Sequence, residues 1–246
     1  MRLTVLFLLA FGFSSFSMFK GRSKESIARL QVKKPNDFGL NWKLEEEAYY
    51  NVANGDEGMF LIELKQFEMG HDWRKMVSIR LFRYSYYETE LLQRILIPKD
   101  GTIGLHPLLD DYNNDDYLDL KVKTGEAMRG SNDVSSIFLY NPSGDSLVYL
   151  KNSENYPNLR YNEKLDCIDA WAIYGGSCTT FLKVQGDSLV ERASIEVNDG
   201  ELTMWLFKSN GDLKRIERKP TGLHYLTRFN NYRPIEYSYS FGLTTL

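Results

Sequence analysis

The sequence predicts an all-β fold, an antiparallel meander arranged as an incomplete propeller-like assembly or a two-layer β-sandwich. Three observations predict it. Short segments rich in β-branched and aromatic residues recur down the chain, turn-forming residues interrupt them at close intervals, and apolar periodicity of helix length is largely missing. The regular turn spacing in the second half argues for hairpins and against βαβ units.

In chain order, Met1-Arg2, the apolar run Leu3 to Phe13 and the small residues Ser14-Ser15-Phe16-Ser17 have the pattern of a secretory signal peptide, residues 1–17, with cleavage expected after Ser17. The run is shorter than the roughly 20 apolar residues that cross a bilayer, and no later segment is expected to span one. No cysteine follows it, which disfavours a lipid anchor, so the chain is expected in the periplasm or secreted. Residues 18–41 read as a polar, basic N-terminal extension. Packing is expected to begin at Trp42, making 42–246 a single β-rich domain. Lys43–Asn51 is expected to be a short helix, because Leu44, Ala48 and Val52 recur every four residues around a triple glutamate.

Strands are expected at Met59–Leu64, Val77–Tyr84, Leu91–Ile97, Ser136–Tyr140 and Ala170–Tyr174. Turns are expected at Asn54-Gly55, Asp100-Gly101, Ser143-Gly144-Asp145, Gln185-Gly186-Asp187, Asp199-Gly200 and Asn210-Gly211-Asp212, where Gly, Asn and Asp tolerate positive φ. Gly144-Asp145-Ser146-Leu147-Val148 recurs 42 residues later as Gly186-Asp187-Ser188-Leu189-Val190, an offset of about one propeller blade. Both copies also read simply as hairpin turns entering Leu-Val strands. The polar stretch Lys123 to Ser136, with Gly125 and Gly130, reads as a long exposed loop, and Arg129 and Asp133 within it are candidate partner contacts.

Charge narrows the partner class. The chain carries 30 basic and 33 acidic side chains, and loss of residues 1–17 would remove only Arg2. Nothing resembles the clustered Lys/Arg footprint that neutralises phosphates, so nucleic acid is not an expected partner. Cys167 and Cys178 are the two cysteines. In an oxidising compartment such a pair predicts a disulfide, with two buried free thiols as the alternative. Two cysteines and three scattered histidines assemble no zinc spacing.

The most informative stretch is Asp111-Tyr112-Asn113-Asn114-Asp115-Asp116-Tyr117-Leu118-Asp119. Asp111, Asn113, Asp115 and Asp119 put oxygen-bearing side chains at positions one, three, five and nine, and the Tyr117 carbonyl would serve at position seven. A hard cation such as Ca2+ takes about six to eight oxygens at roughly 2.3–2.6 Å. Leu118, Leu120 and Val122 then alternate with Asp119 and Lys121, so the loop feeds a half-buried strand. An EF-hand would need a helix there and a glutamate at position twelve, which is Val122.

This Asp-x-Asn-x-Asp-x-x-x-Asp pattern before an apolar strand resembles the calcium loop of FG-GAP and integrin-type propeller repeats. Leu109 to Val197 is similar to a family of exported bacterial proteins with one such loop, through Phe138-Leu139-Tyr140-Asn141-Pro142, Pro157-Asn158-Leu159 and the Gly175-Gly176 turn. The resemblance implies calcium binding and a periplasmic immunity role like that of type-I lysozyme inhibitors, with a lysozyme-like enzyme or another protein or peptidoglycan-related partner. Two departures stand out. Position six, normally Gly, is Asp116, and the Ser-Gly-x-x-Tyr element that lysozyme inhibitors insert into the enzyme cleft is absent.

No Gly-x-Ser-x-Gly elbow, phosphate-binding Gly-rich loop or His-Glu-x-x-His helix occurs. His71-Asp72 would point to opposite faces of a strand, and pairing with Cys167 would consume the Cys178 thiol that His106 or His224 could activate. The expectation is therefore an exported calcium-binding protein that is not an enzyme. An envelope-glycan hydrolase and a structural module that uses calcium only for stability are the competing classes.

Overall fold

The computed structural model describes residues 42–55, 58–69, 74–85, 88–207 and 212–232. The expected signal peptide, the N-terminal extension and the His71-Asp72 pair lie outside the described residues.

The chain is all-β. A first sheet contains β1 (Trp42–Gly55), β2 (Gly58–Met69), β3 (Arg74–Tyr84) and β4 (Thr89–Asp100). A second contains β5 (Pro107–Asp110), β6 (Asp119–Ala127), β7 (Asn132–Asn141) and β8 (Ser146–Tyr149). The third contains β9 (Arg160–Asn162), β10 (Cys167–Ile173), β11 (Ser177–Gln185), β12 (Ser188–Asn198), β13 (Glu201–Phe207) and β14 (Leu213–Pro220). Each sheet is an antiparallel meander in chain order, and none closes into a barrel. Among the described residues no helix is long and apolar enough to cross a membrane.

The second sheet lies between the other two. Ser135 to Tyr140 on β7 are all buried, and the run of Ile137, Phe138, Leu139 and Tyr140 divides by strand alternation between two cores. Phe138 and Tyr140, with Leu120, Val122 and Leu147, pack on Ile62, Leu64, Val77, Ile79 and Leu81 of the first sheet. Ile137 and Leu139, with Leu150, pack on Ile168, Ala170, Leu182 and Leu189 of the third. A further core covers Phe181, Ile195 and Met204 with Phe229 and Tyr232 from the C-terminal segment.

Side-chain amides stitch the layers together. Gln93 accepts from Leu147 N at 2.7 Å and donates to Leu147 O at 3.1 Å. Asn132 does the same for Ile173 at 3.0 and 2.9 Å, and Asn152 for Leu189 at 2.8 and 2.8 Å. Each carboxamide thus satisfies one residue's backbone donor and acceptor in the neighbouring sheet, a need that burial makes obligatory.

Two sequence expectations are corrected. Lys43–Asn51 is not a helix but the body of β1, with Ala48 opposite Leu64 and Tyr50 opposite Ile62. Residues four apart share a face in a strand as well as in a helix. Tyr50, two residues from both Ala48 and Val52 and packed on the same core, is what distinguishes the two. Lys123 to Ser136 is not a long loop but a hairpin: β6 runs to Ala127, a 3-10 turn spans Met128–Gly130, and β7 begins at Asn132. The two Gly-Asp-Ser-Leu-Val copies are the turns from β7 into β8 and from β11 into β12.

Lys99 at the end of β4 is 3% exposed, and its ammonium donates to Ile103 O at 2.7 Å. Burial, aided by the Lys75 charge, pushes its pKa down to about 8. Between that value and the unfolded lysine's, the unfolded chain binds more protons, so this group makes stability rise with pH. Denaturant unfolding at pH 7 to 10 should show wild type gaining on Lys99→Met, by on the order of 2 kcal/mol across the window.

Candidate functional site

The acidic loop joins the ends of β5 and β6, where Asp110 and Asp119 are ladder partners. Its tyrosines fix it on both sides of the second sheet. Tyr112, 2% exposed, packs into the core facing the third sheet, and Tyr117 packs toward the first, 5.6 Å from the Tyr140 ring. The oxygen spacing by itself assigns Tyr112 no role. The signal that could have found it was an aromatic residue at each end of a polar loop between two strands.

Within the loop, backbone N–H groups converge on carboxylates. Asp111 Oδ1 accepts from Asn113 N at 3.3 Å and Asp115 N at 3.1 Å, and Oδ2 accepts from Asp116 N at 2.8 Å. Asp115 Oδ1 accepts from Tyr117 N at 3.0 Å, and Oδ2 accepts from Asn113 Nδ2 at 2.8 Å. This curl requires left-handed backbone at Asn114, φ 59°, and Asp116, φ 68°. Asx residues enter that region more readily than other non-glycine residues, so Asp116 can occupy the position where the resembling loops carry Gly.

Asp119 is wholly buried. Its Oδ2 accepts from Tyr112 N at 2.9 Å and its Oδ1 from Tyr140 N on β7 at 2.8 Å. Burial raises its pKa to about 7, against the pull of those two N–H donors, and the charges of Asp115 and Asp111 push the same way as burial. Asn113 Oδ1 is buried and has no hydrogen-bond partner.

The expected ligands Asp111, Asn113, Asp115, Tyr117 and Asp119 thus share one loop. Among the described residues, however, no three acidic, histidine or cysteine side chains gather into a metal-holding group. The donor set is oxygen only, which fits a hard cation in kind, and the buried Asn113 oxygen accepts no hydrogen bond.

The other predicted site residues fall elsewhere. Arg129 sits at the hairpin tip with φ 57°, beside exposed Met128 with φ 50°. The nine residues of β6 separate that tip from the acidic loop, about 25–30 Å at 3.3 Å per residue. The tip and the acidic loop are therefore separate features of the surface. Asp133 is engaged on β7: its carboxylate pairs with Lys123 at 2.7 Å, and its backbone N–H donates to Asn158 Oδ1 at 3.0 Å.

The expected Cys167–Cys178 disulfide is absent, and both thiols are free. In the ladder Cys178 faces Ala172, five residues along β10 from Cys167. That is about 16 Å of strand, beyond the roughly 7 Å between Cα atoms that a disulfide spans. Burial pushes both thiols up to about 11, so neither is a ready nucleophile near neutral pH.

No protein-family model matches the chain, and no curated protein matches it. Among solved structures, one described as the structure of a Xanthomonas Type IV Secretion System related protein is similar at 11% identity, covering 70% of this chain and 100% of that one, with a TM-score of 0.44.

Replacing Asp119 by alanine leaves the buried Tyr112 and Tyr140 N–H donors without an acceptor. Denaturant unfolding of Asp119→Ala should show a loss of about 2–6 kcal/mol, with each of the two orphaned donors worth roughly 1–3.

Proposed function

We propose that this chain is an exported calcium-binding protein that recognises a protein partner outside the cytoplasm. A cell-wall lytic enzyme, held in check as by an immunity or inhibitor protein, is the partner that the family resemblance implies. The observation that carries the metal reading is the buried, partnerless Asn113 Oδ1. It lies in a loop whose charges at Asp111 and Asp115 already act on buried Asp119. Asp111, Asn113, Asp115, Asp119 and the Tyr117 carbonyl would hold the ion. Bound there, calcium offsets the mutual repulsion of the carboxylates and ties the end of β5 to the start of β6.

The partner reading rests on the tip Met128–Gly130. Two consecutive non-glycine residues there are left-handed, each at a cost on the order of 1–2 kcal/mol, and Met128 is 52% exposed. Backbone strain of this kind concentrates at contact sites, where it fixes a side chain before the partner arrives. Arg129, exposed at the same tip, offers the planar donor fork that interfaces favour.

An ion that binds only the folded chain raises stability by about 2.7 kcal/mol at 100 times its Kd. Thermal unfolding should therefore shift upward with calcium, return with chelator, and lose the shift in Asp111→Ala with Asp115→Ala. No shift at millimolar calcium would sink the metal reading.

For the partner, the mature chain should suppress a muramidase at near-stoichiometric ratio. The Met128→Ala, Arg129→Ala double variant should need roughly tenfold more protein for the same effect, with unfolding unchanged. Peptidoglycan clearing by the chain alone, with turnover, would make it a hydrolase. Neither activity would leave calcium a purely structural role.

A further inference from the structure

Beside the acidic loop, on the face of β6 turned away from Leu120 and Val122, a cleft of about 600 Å³ opens between β5, β6 and the segment Asn158–Arg160. Its cations are unevenly matched. Lys123 at one end is held by Asp133 at 2.7 Å and also by Glu126. At the other end, Lys121 donates to Leu159 O at 2.7 Å and lies 5.5 Å from the Tyr112 ring centroid. Among the described residues Lys121 has no ion-pair partner.

Arg228, from the C-terminal segment, donates to the adjacent carbonyl, Asn158 O, at 2.8 Å, and Arg160 follows in the chain. Lys121, Arg160 and Arg228 therefore gather at the segment Asn158–Arg160, and Asp169 is the carboxylate that pairs with the two arginines. That carboxylate is wholly buried and already fully engaged. Arg228 Nε reaches it at 2.7 Å, Arg160 Nε at 3.3 Å, and Asn162 Nδ2 at 2.9 Å. Asp169, and Asp110 whose charge also reaches Lys121, set two negative charges against these three positive ones, and with Asp133 taken up by Lys123 this end of the cleft keeps a positive excess.

The remaining wall carries Leu105, Pro107 and Leu108 together with His106 and Ser135. Leu108 faces Lys121 across the β5–β6 ladder and is 55% exposed, and Leu105 lies beside it. A concave site of this size, with apolar side chains on one wall and a few convergent polar groups, has the makeup of a small-molecule site.

We propose that this cleft binds a small organic oxyanion, with a carboxylate or phosphate head group on Lys121, Arg160 and Arg228 and an apolar body against Leu105 and Leu108. The terminal nitrogens of Arg160, which have no partner among the described residues, supply the paired donors that such a head group accepts.

The test is titration of the full chain with benzoate, phenyl phosphate and inorganic phosphate at constant ionic strength, read by calorimetry. Saturable binding of benzoate or phenyl phosphate is expected, the better of the two identifying the head group. Inorganic phosphate, lacking the apolar body, should bind at least about tenfold more weakly. Lys121→Gln should weaken the organic anion by about tenfold or more, and so should Arg160→Gln, which leaves Asp169 paired with Arg228. Lys151→Gln, which alters an exposed lysine paired with Asp187, should bind as wild type. Equal weakening by Lys151→Gln, or no saturable binding of either organic anion by a folded wild-type chain, would overturn the proposal.

Discussion

Burial of the second sheet on both faces is the constraint on which the rest of the architecture depends. Its outer strands, β5 and β8, have four residues each, and the side chains of β7 point alternately into two cores. Water cannot serve the backbone groups where this sheet meets its neighbours. Gln93, Asn132 and Asn152 supply that service by presenting a donor and an acceptor together, as another peptide unit would. An aliphatic side chain at any of these positions would fill the space but orphan two backbone groups, each worth about 1–3 kcal/mol. The layers are thus held by apolar area and fixed in register by three amides.

The same constraint explains the electrostatics of the acidic loop. Asp119 opens β6, inside the doubly covered sheet, so its carboxylate is desolvated and its pKa is raised despite two N–H donors. Asp111 and Asp115 lie farther out and spend their oxygens on the curl of the chain itself. Tyr112 and Tyr117 fasten the loop to opposite cores, so any change in its charge is felt by both sheet interfaces. A divalent ion in this loop would accordingly act on the stability of the whole stack.

The features on which the two proposals rest are distributed along β6. The acidic loop lies at its start, the strained Met128–Gly130 tip at its end, and the cationic cleft on the face between them. One strand thereby positions the acidic loop, the left-handed tip and the cationic cleft without requiring them to touch. Lys123 shows how the strand separates these roles, since its pairing with Asp133 and Glu126 neutralises the cleft toward the tip.

The sequence by itself determined what local chemistry can determine. Alternating β-branched and aromatic residues specified strands, Gly, Asn and Asp marked the turns, and the oxygen spacing from Asp111 to Asp119 specified a curled acidic loop, because each rests on contacts within a few residues. Only the tertiary structure decided the rest. Leu44, Ala48 and Val52 fit a helix or a strand equally until β2 offered a ladder, and Lys123 to Ser136 is polar because its side chains pair across a hairpin, not because it is a loop. The sequence could not show that Cys167 and Cys178 lie far apart along adjacent strands, since register fixes that distance. Nor could it show that Arg160 and Arg228 meet on one buried aspartate with Lys121 on the neighbouring Leu159 carbonyl, because the sheets must stack and the C-terminal segment fold back before those charges become neighbours.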